Sequence, residues 1–113
     1  MFFNLSEMEE VMKPGLKGGE GEVGVREAFF EGGKVLIGRV TPGSTIGLHT
    51  HEGDCEVMYI VSGTATFIAD GVEEVVTAGN CQYCAEGHEH TLINKTNEDV
   101  VFFATVLGQF GGR

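Results

Sequence analysis

An all-β domain, a sandwich or barrel of eight or nine short strands, is what this sequence predicts, and three observations carry the prediction. From Val23 onward the chain is a succession of short β-rich runs cut by Gly, Asn, Asp or Pro, residues with defined uses in turns. Gly supplies 18 of the 113 residues against two Pro, with no collagen-like three-residue period, a composition suited to many tight turns. No interior stretch makes a credible helix, which leaves strands and turns. An apolar share of 42%, with eight Phe, is enough to close one core, and a chain of this length is one small domain.

Taken in order, residues 1–22 mix Met, Glu, Lys and Gly around Pro14 and admit no long helix. Ser6 can cap one helical turn over Ser6–Met12, with Glu9 at its N3 position. Beyond that turn an extended arm is expected, pairing with an edge strand or with a second subunit. The strands expected next are Val23–Phe30 and Lys34–Val40 around Glu31-Gly32-Gly33, then Ser44–His49 after Pro42-Gly43. Glu56–Ser62 and Thr64–Ala69 follow, and Thr64–Ala69 joins Val72–Thr77 through Asp70-Gly71, a two-residue unit suited to a type I′ hairpin. Asn80–Tyr83, Glu89–Asn94 and Asp99–Leu107 complete the set, which puts the barrel at 23–107 and leaves 108–113 as a frayed tail.

Seven basic residues stand against seventeen acidic ones, a formal charge of -10. Such a chain repels a phosphate backbone, so nucleic acid is not an expected partner, and an anionic membrane is disfavoured for the same reason. No segment reads as a secretory signal or approaches the roughly 20 apolar residues of a membrane span. Three Cys make a disulfide framework improbable. The expected setting is soluble and cytoplasmic.

His49 and His51 are two apart, so in an extended strand their imidazoles share one face. Glu56 follows across the polar turn Glu52-Gly53-Asp54 and can re-enter the same region, and His90 opens a later strand. Spacing alone does not bring His90 to the pair. Three imidazoles and a carboxylate are nonetheless a sensible ligand set for Mn, Fe, Co, Ni, Cu or Zn that leaves octahedral positions open.

These residues carry a resemblance to the cupin superfamily. Gly43, five residues, His49-Thr50-His51, four residues, Glu56, six residues and Gly63 match the first cupin motif. Gly79, five residues, Ala85-Glu86-Gly87, two residues, His90, three residues and Asn94 match the second, except that Ala85 stands where relatives carry a proline that stiffens the turn. The resemblance implies a double-stranded β-helix, the jelly-roll barrel. It also implies His49, His51, Glu56 and His90 as the tetrad for one divalent transition metal, with Mn, Fe, Zn and Ni the candidates, and a homodimer built by exchanging or packing edge strands.

Other residues are candidates for supporting roles. His88 lies two positions before His90 and could face the same cavity as a fifth ligand or proton shuttle, or sit exposed in a turn. Tyr59 and Tyr83 carry hydroxyls that could orient a substrate oxygen, and Phe29, Leu36, Phe67, Phe102 and Phe103 could line the cavity. Only one of the adjacent Phe102 and Phe103 can point inward from a regular strand. Cys81 and Cys84 form a C-x-x-C, but in a strand they are better read as core thiols, and Cys55 should face away from Glu56. Beyond His88, the ligands, and Arg26 or Arg39, few acid or base groups are apparent. That favours metal polarisation of a small chelating substrate, or activation of dioxygen. The expected function is a metal-dependent enzyme of dioxygenase, isomerase or lyase type acting on a small oxygenated organic molecule, with His88 and Tyr59 as its candidate catalytic residues. The alternative is a non-catalytic cupin module that binds or senses a small ligand.

Overall fold

A computed structural model describes residues 1–108. Ten strands run in chain order: β1 (Val11–Pro14), β2 (Glu22–Phe30), β3 (Gly33–Val40), β4 (Thr45–Thr50), β5 (Asp54–Ser62), β6 (Thr64–Ala69), β7 (Val72–Thr77), β8 (Cys81–Cys84), β9 (Glu89–Ile93) and β10 (Val100–Gly108). They form a six-stranded sheet ordered β1-β2-β3-β10-β5-β8 and a four-stranded sheet ordered β4-β9-β6-β7. Every pairing is antiparallel. The chain passes between the sheets six times, at β3–β4, β4–β5, β5–β6, β7–β8, β8–β9 and β9–β10, which is the winding of a jelly roll.

The nine expected strands are all present, with ends displaced by no more than two residues. Turn chemistry explains this agreement. Asp70 and Gly71 both have positive φ, 49° and 79°, as a type I′ hairpin demands, and they join β6 to β7 in register from Thr64↔Thr77 to Ala69↔Val72. The strand expected to stop at Leu107 continues through Gly108, and the remainder of the expected tail, 109–113, lies outside the described residues.

The N-terminal region departs from expectation in one respect. The helical turn expected over Ser6–Met12 is a single 3-10 turn at Leu5–Glu7. Ser6 spends its hydroxyl on the Asn4 side chain, 3.1 Å away, while Val11 and Met12 are drawn into β1. That strand pairs with the β2 edge, Val11↔Val25 through Pro14↔Glu22, as an extended arm should. Glu10 reinforces the docking with two hydrogen bonds from the Arg39 guanidinium, 3.0 and 2.7 Å. These bonds hold the Glu10 carboxyl below the usual carboxylate range.

Between the sheets, Val23, Val40, Ile60, Ala65, Phe67, Leu92, Val100, Phe102 and Ala104 are buried. Alternation along β10 sends Phe102 inward and Phe103 outward, and the Phe102 ring lies over its register partner Gly38 on the neighbouring β3. A Cβ on Gly38 would overlap that ring. Truncating Phe102 to Ala would cost about 3–5 kcal/mol. Asn94, the last residue of the second motif, is fully buried and works structurally. Its amide donates to the Val40 and Glu98 carbonyls and its oxygen accepts from the Thr96 N–H, closing the turn that leads to β10.

Candidate metal centre

Three strands from both sheets bring the four motif side chains together. His49 on β4 stands opposite His90 on β9 in the four-stranded sheet, past an irregularity in register after Ile46 that re-aims the end of β4. His51 follows β4 directly. Its backbone is tied to the second motif, its N–H donating to the His88 carbonyl at 3.0 Å and its carbonyl accepting from the Gly87 N–H at 2.7 Å. Those bonds, with one from the His88 N–H to the Ala85 carbonyl, close the turn in which Ala85 replaces proline. Glu56 comes from β5 of the facing sheet.

The three imidazole centroids are 4.8–5.0 Å apart, and one ligand atom from each of His49, His51, Glu56 and His90 lies within 4.8 Å of the others. That is a group able to hold a metal ion. Hydrogen bonds on the far side of each ring decide which nitrogens face inward. His49 Nδ1 donates to the Gly47 carbonyl at 2.7 Å, and His51 Nδ1 donates to the Asp54 carboxylate at 2.7 Å. His90 Nδ1 donates to Gln82 Oε1 at 2.9 Å. Gln82 is itself buried and oriented by donating its amide to the Tyr83 carbonyl and Glu74. Each imidazole therefore presents its Nε2 lone pair to the centre, the arrangement in which outer partners set a ligand's tautomer.

Inside the group the consequence is an excess of acceptors. His51 Nε2 lies 3.0 Å from His90 Nε2 and 3.2 Å from Glu56 Oε1, and His90 Nε2 lies 3.1 Å from the same oxygen. With all Nδ1 atoms protonated, three acceptors stand at hydrogen-bonding distance with no hydrogen to share. Either an extra proton or a metal cation must reconcile them. Burial alone would raise the Glu56 carboxyl, but hydrogen bonds from His51 and His90, when these carry the proton, outweigh it and hold the group at about 2. Hydrogen bonding to Glu56 raises His51 above its ordinary value despite burial, whereas burial lowers His49.

These side chains lie in a cavity of about 250 Å³, smaller than the roughly 300–1,000 Å³ of pockets for drug-sized ligands. Leu36, Ile46, Met58, Leu92 and Phe102 supply its apolar wall, and Lys13, Lys17, Glu27, Lys34, Thr50, Glu52 and Asp54 its remaining polar groups.

Several expected contributors lie elsewhere. Tyr59 alternates with buried Met58 and Ile60 along β5 and points to the outer face, 42% exposed. Tyr83, Phe29 and Phe103 are also exposed, so none of these four forms cavity wall. Phe67 does not line the cavity but stacks behind His90, centroids 6.1 Å apart. His88 faces out and pairs with Asp70 at 2.6 Å, both side chains half exposed, because it lies in the turn before β9 begins at Glu89, where strand alternation does not carry it to the face of His90. Arg39 is committed to Glu10 and Asp99, and Arg26 does not line the cavity. Cys84 is buried, which pushes its thiol up to about 11, but Cys81 is exposed rather than a core thiol. Cys55 alternates with Glu56 along β5 as expected.

What sequence reasoning missed falls into two groups. Asp54 and Gln82 act through the imidazoles; only Asp54, three residues from His51, had a local signal. The lysines come from the arm and β3, where no motif points to them.

Comparison with known proteins is consistent with this geometry. The Cupin_2 model, described as a cupin domain, matches residues 36–106. An oxalate-binding protein from Thermotoga maritima is 32% identical over 98 residues, covering 81% of each chain. A crystal structure described as a predicted oxalate decarboxylase, also from Thermotoga maritima, superimposes with a TM-score of 0.90 at 28% identity, over 96% of this chain and 100% of that one. The cupin domain of Cnp3 from Schizosaccharomyces pombe shares the fold at a TM-score of 0.80 and 10% identity, over 98% of this chain and 76% of that one.

Proposed function

This chain belongs to the Cupin_2 family of cupin domains, and on that premise we propose that it binds one divalent transition-metal ion through His49, His51, Glu56 and His90, and with it a small oxygenated carboxylate of the oxalate type. The observation that carries the reading is the cluster of inward acceptors, three of them 3.0–3.2 Å apart, around which all three Nδ1 atoms already have partners. A neutral imidazole set with one carboxylate suits Mn, Fe, Zn or Ni.

When bound, the ion would act as a Lewis acid toward substrate oxygens and leave coordination positions open for them. The protein's own residues do the rest. Gly47, Asp54 and Gln82 hold the imidazoles in the required tautomer, the apolar wall limits water, and the lysines face an anion. With His88 and Tyr59 directed outward, proton transfer in the cavity falls to Glu52 or the lysines rather than to the residues the sequence suggested.

Two readings follow from the relatives, one described as oxalate-binding and one as a predicted oxalate decarboxylase. Both use the same site, and the enzyme reading is preferred because an open metal position beside a water-excluding wall is more than capture requires. The test is elemental analysis of untagged protein purified without chelator, followed by calorimetry with oxalate and assays for carbon dioxide release and oxygen uptake. About one equivalent of metal, metal-dependent oxalate binding and turnover are expected. Binding without turnover selects the binding module, and failure to take up any of the four metals removes the reading.

Self-association is proposed through the outer face of the six-stranded sheet, where Tyr59, Val61, Tyr83 and Phe103 are exposed, an apolar cluster of the kind that marks interfaces. Light scattering at the mass of two chains is expected. Among the described residues no helix is long and apolar enough to cross a membrane.

A further inference from the structure

The chain carries a formal charge of -10, yet three of its seven basic residues, Lys13, Lys17 and Lys34, line the cavity that holds the four converging side chains. All three lie outside residues 36–106, where the family pattern matches. The matched pattern therefore does not include this cationic wall.

The wall has two parts. Lys13 on β1 and Lys34 on β3 both reach the Glu27 carboxylate on β2, at 2.9 and 3.0 Å, so two ammonium groups share one negative charge. Lys17 has no ion pair among the described residues, and its backbone occupies the left-handed region, φ 55° and ψ 29°. A non-glycine residue adopts that conformation only where its surroundings impose it. They do so here through two bare backbones: a Cβ on Gly47 would overlap the Lys17 carbonyl, and one on Gly19 would overlap Thr45. The Thr45 N–H donates to the Glu20 carbonyl at 2.8 Å, and the Glu20 N–H donates to Thr45 Oγ1 at 2.8 Å. The segment bearing Lys17 is thus clamped to β4, the strand whose Gly47 carbonyl orients His49.

Of the lining carboxylates, Glu27, Asp54 and Glu56 are engaged by the lysine pair and the imidazoles. Glu52 has no such partner among the described residues. With neutral imidazoles the lining sets three lysines against the four carboxylates Glu27, Glu52, Asp54 and Glu56, and a divalent ion held by the tetrad would turn that balance positive, with Lys17 the one lysine of the three that no described carboxylate holds. Resting on the metal-site reading above, we propose that Lys17, acting with the Lys13–Glu27–Lys34 trio, is the specificity-determining cation of this cavity, selecting a small dianionic carboxylate over a monoanion of the same shape. Both ligands present similar oxygens to an ion. They differ at one end, where oxamate carries a neutral amide in place of the second carboxylate, and a cation lining the cavity responds to the charge that is lost.

Oxalate and its amide-acid isostere oxamate make the comparison. Manganese uptake is measured first by electron paramagnetic resonance, and calorimetry of the Mn²⁺-loaded protein then follows each ligand. The unmodified protein should prefer oxalate. Lys17→Gln should weaken oxalate by about five- to tenfold and oxamate by about twofold or less, with manganese affinity unchanged, while Lys17→Arg keeps the preference. Lys17→Gly removes the charge while fitting the left-handed backbone, so it should lose the preference with no fall in melting temperature. Equal losses for both ligands, or a preference intact in Lys17→Gln and in Lys17→Gln/Lys34→Gln, would overturn the proposal. If the unmodified protein takes up no manganese, or the loaded protein binds neither ligand, the metal-site reading itself falls, an outcome distinct from a loaded protein that binds both ligands alike.

Discussion

The two ends of the cavity are built on different principles. At the inner end His51, Glu56 and His90 are 2–8% exposed, and every imidazole is locked by a partner on its outer nitrogen. At the rim, Lys17 is exposed and is placed by its backbone alone. The difference follows from how each interaction falls off with distance. Coordination tolerates displacements of about 0.2 Å, so its donors belong on paired strands with fixed rotamers. Coulomb attraction weakens only as the reciprocal of distance, so a charge can be supplied by an arm and a turn. On the proposed function, metal chemistry would belong to the paired strands of the barrel and ligand choice to the segment docked on β4.

The largest expected effect comes from breaking the inner end. Glu56→Gln removes the only carboxylate among the four donors, and metal affinity should fall by more than the roughly 10–100-fold typical of losing an outer partner. Competition with a chromogenic chelator measures it, and a loss under tenfold would mean that the ion sits elsewhere.

Acidification should act next most strongly. The hydrogen bond to Glu56 raises His51 above its ordinary value of 6.5, so below that raised value the metal-free protein carries a proton that an incoming ion must displace. Metal affinity should therefore drop about tenfold for each pH unit below it per proton displaced. Glu56, held at about 2, stays ionised and adds nothing to the slope in this range. Affinity that is flat from pH 8 to pH 5 would contradict the shared-proton picture.

Gly19→Ala should separate the two ends. The added Cβ would overlap Thr45, so the arm must lift at a cost of about 1–3 kcal/mol, and the oxalate-over-oxamate preference should shrink while metal affinity stays within about twofold. Thermal melting and calorimetry read the two effects. An unchanged melting temperature would show that the arm is not seated on β4 as described.

The smallest effects belong to the outward residues. Because His88 pairs with exposed Asp70 and Tyr59 lies on the outer face, His88→Ala and Tyr59→Phe should change metal and oxalate affinity by less than about 0.5 kcal/mol. A tenfold loss in either would return that residue to the site.

Legibility in the sequence followed the range of the interaction concerned. Nine strands could be located because their ends are local events: Asp70-Gly71 enforces its own turn, and alternation shows that Phe102 and Phe103 cannot both face inward. Strand β1 was expected only as an extended arm beyond Met12, and its start was assigned to a helical turn, because Val11–Pro14 with its proline has little strand character alone and is received by the β2 edge and the Arg39–Glu10 pair. Cys81 and Tyr83 were misjudged for a related reason. They occupy the outer side of β8, a sheet edge where alternation is evident but the choice of inward face is not.

The candidate site divides in the same way. His49, His51 and Glu56 could be grouped from their spacing across one strand, a turn and the next strand, whereas His90, on a strand far along the chain, was joined to them only by the resemblance of the two motifs to the cupin pattern. Whether His88 or His90 faced the centre, which imidazole nitrogen was free, and that Gln82 and Lys17 would matter were decided only when strands distant in sequence came together. Sequence by itself determines the strand-and-turn pattern and the chemical identity of the donors, because both follow from near-neighbour sterics and residue type. Facing, the tautomer of His90 and the cationic wall depend on register between strands and on the docking of the arm, contacts that span 8 residues between Gln82 and His90 and 41 between His49 and His90, and these exist only in the folded molecule.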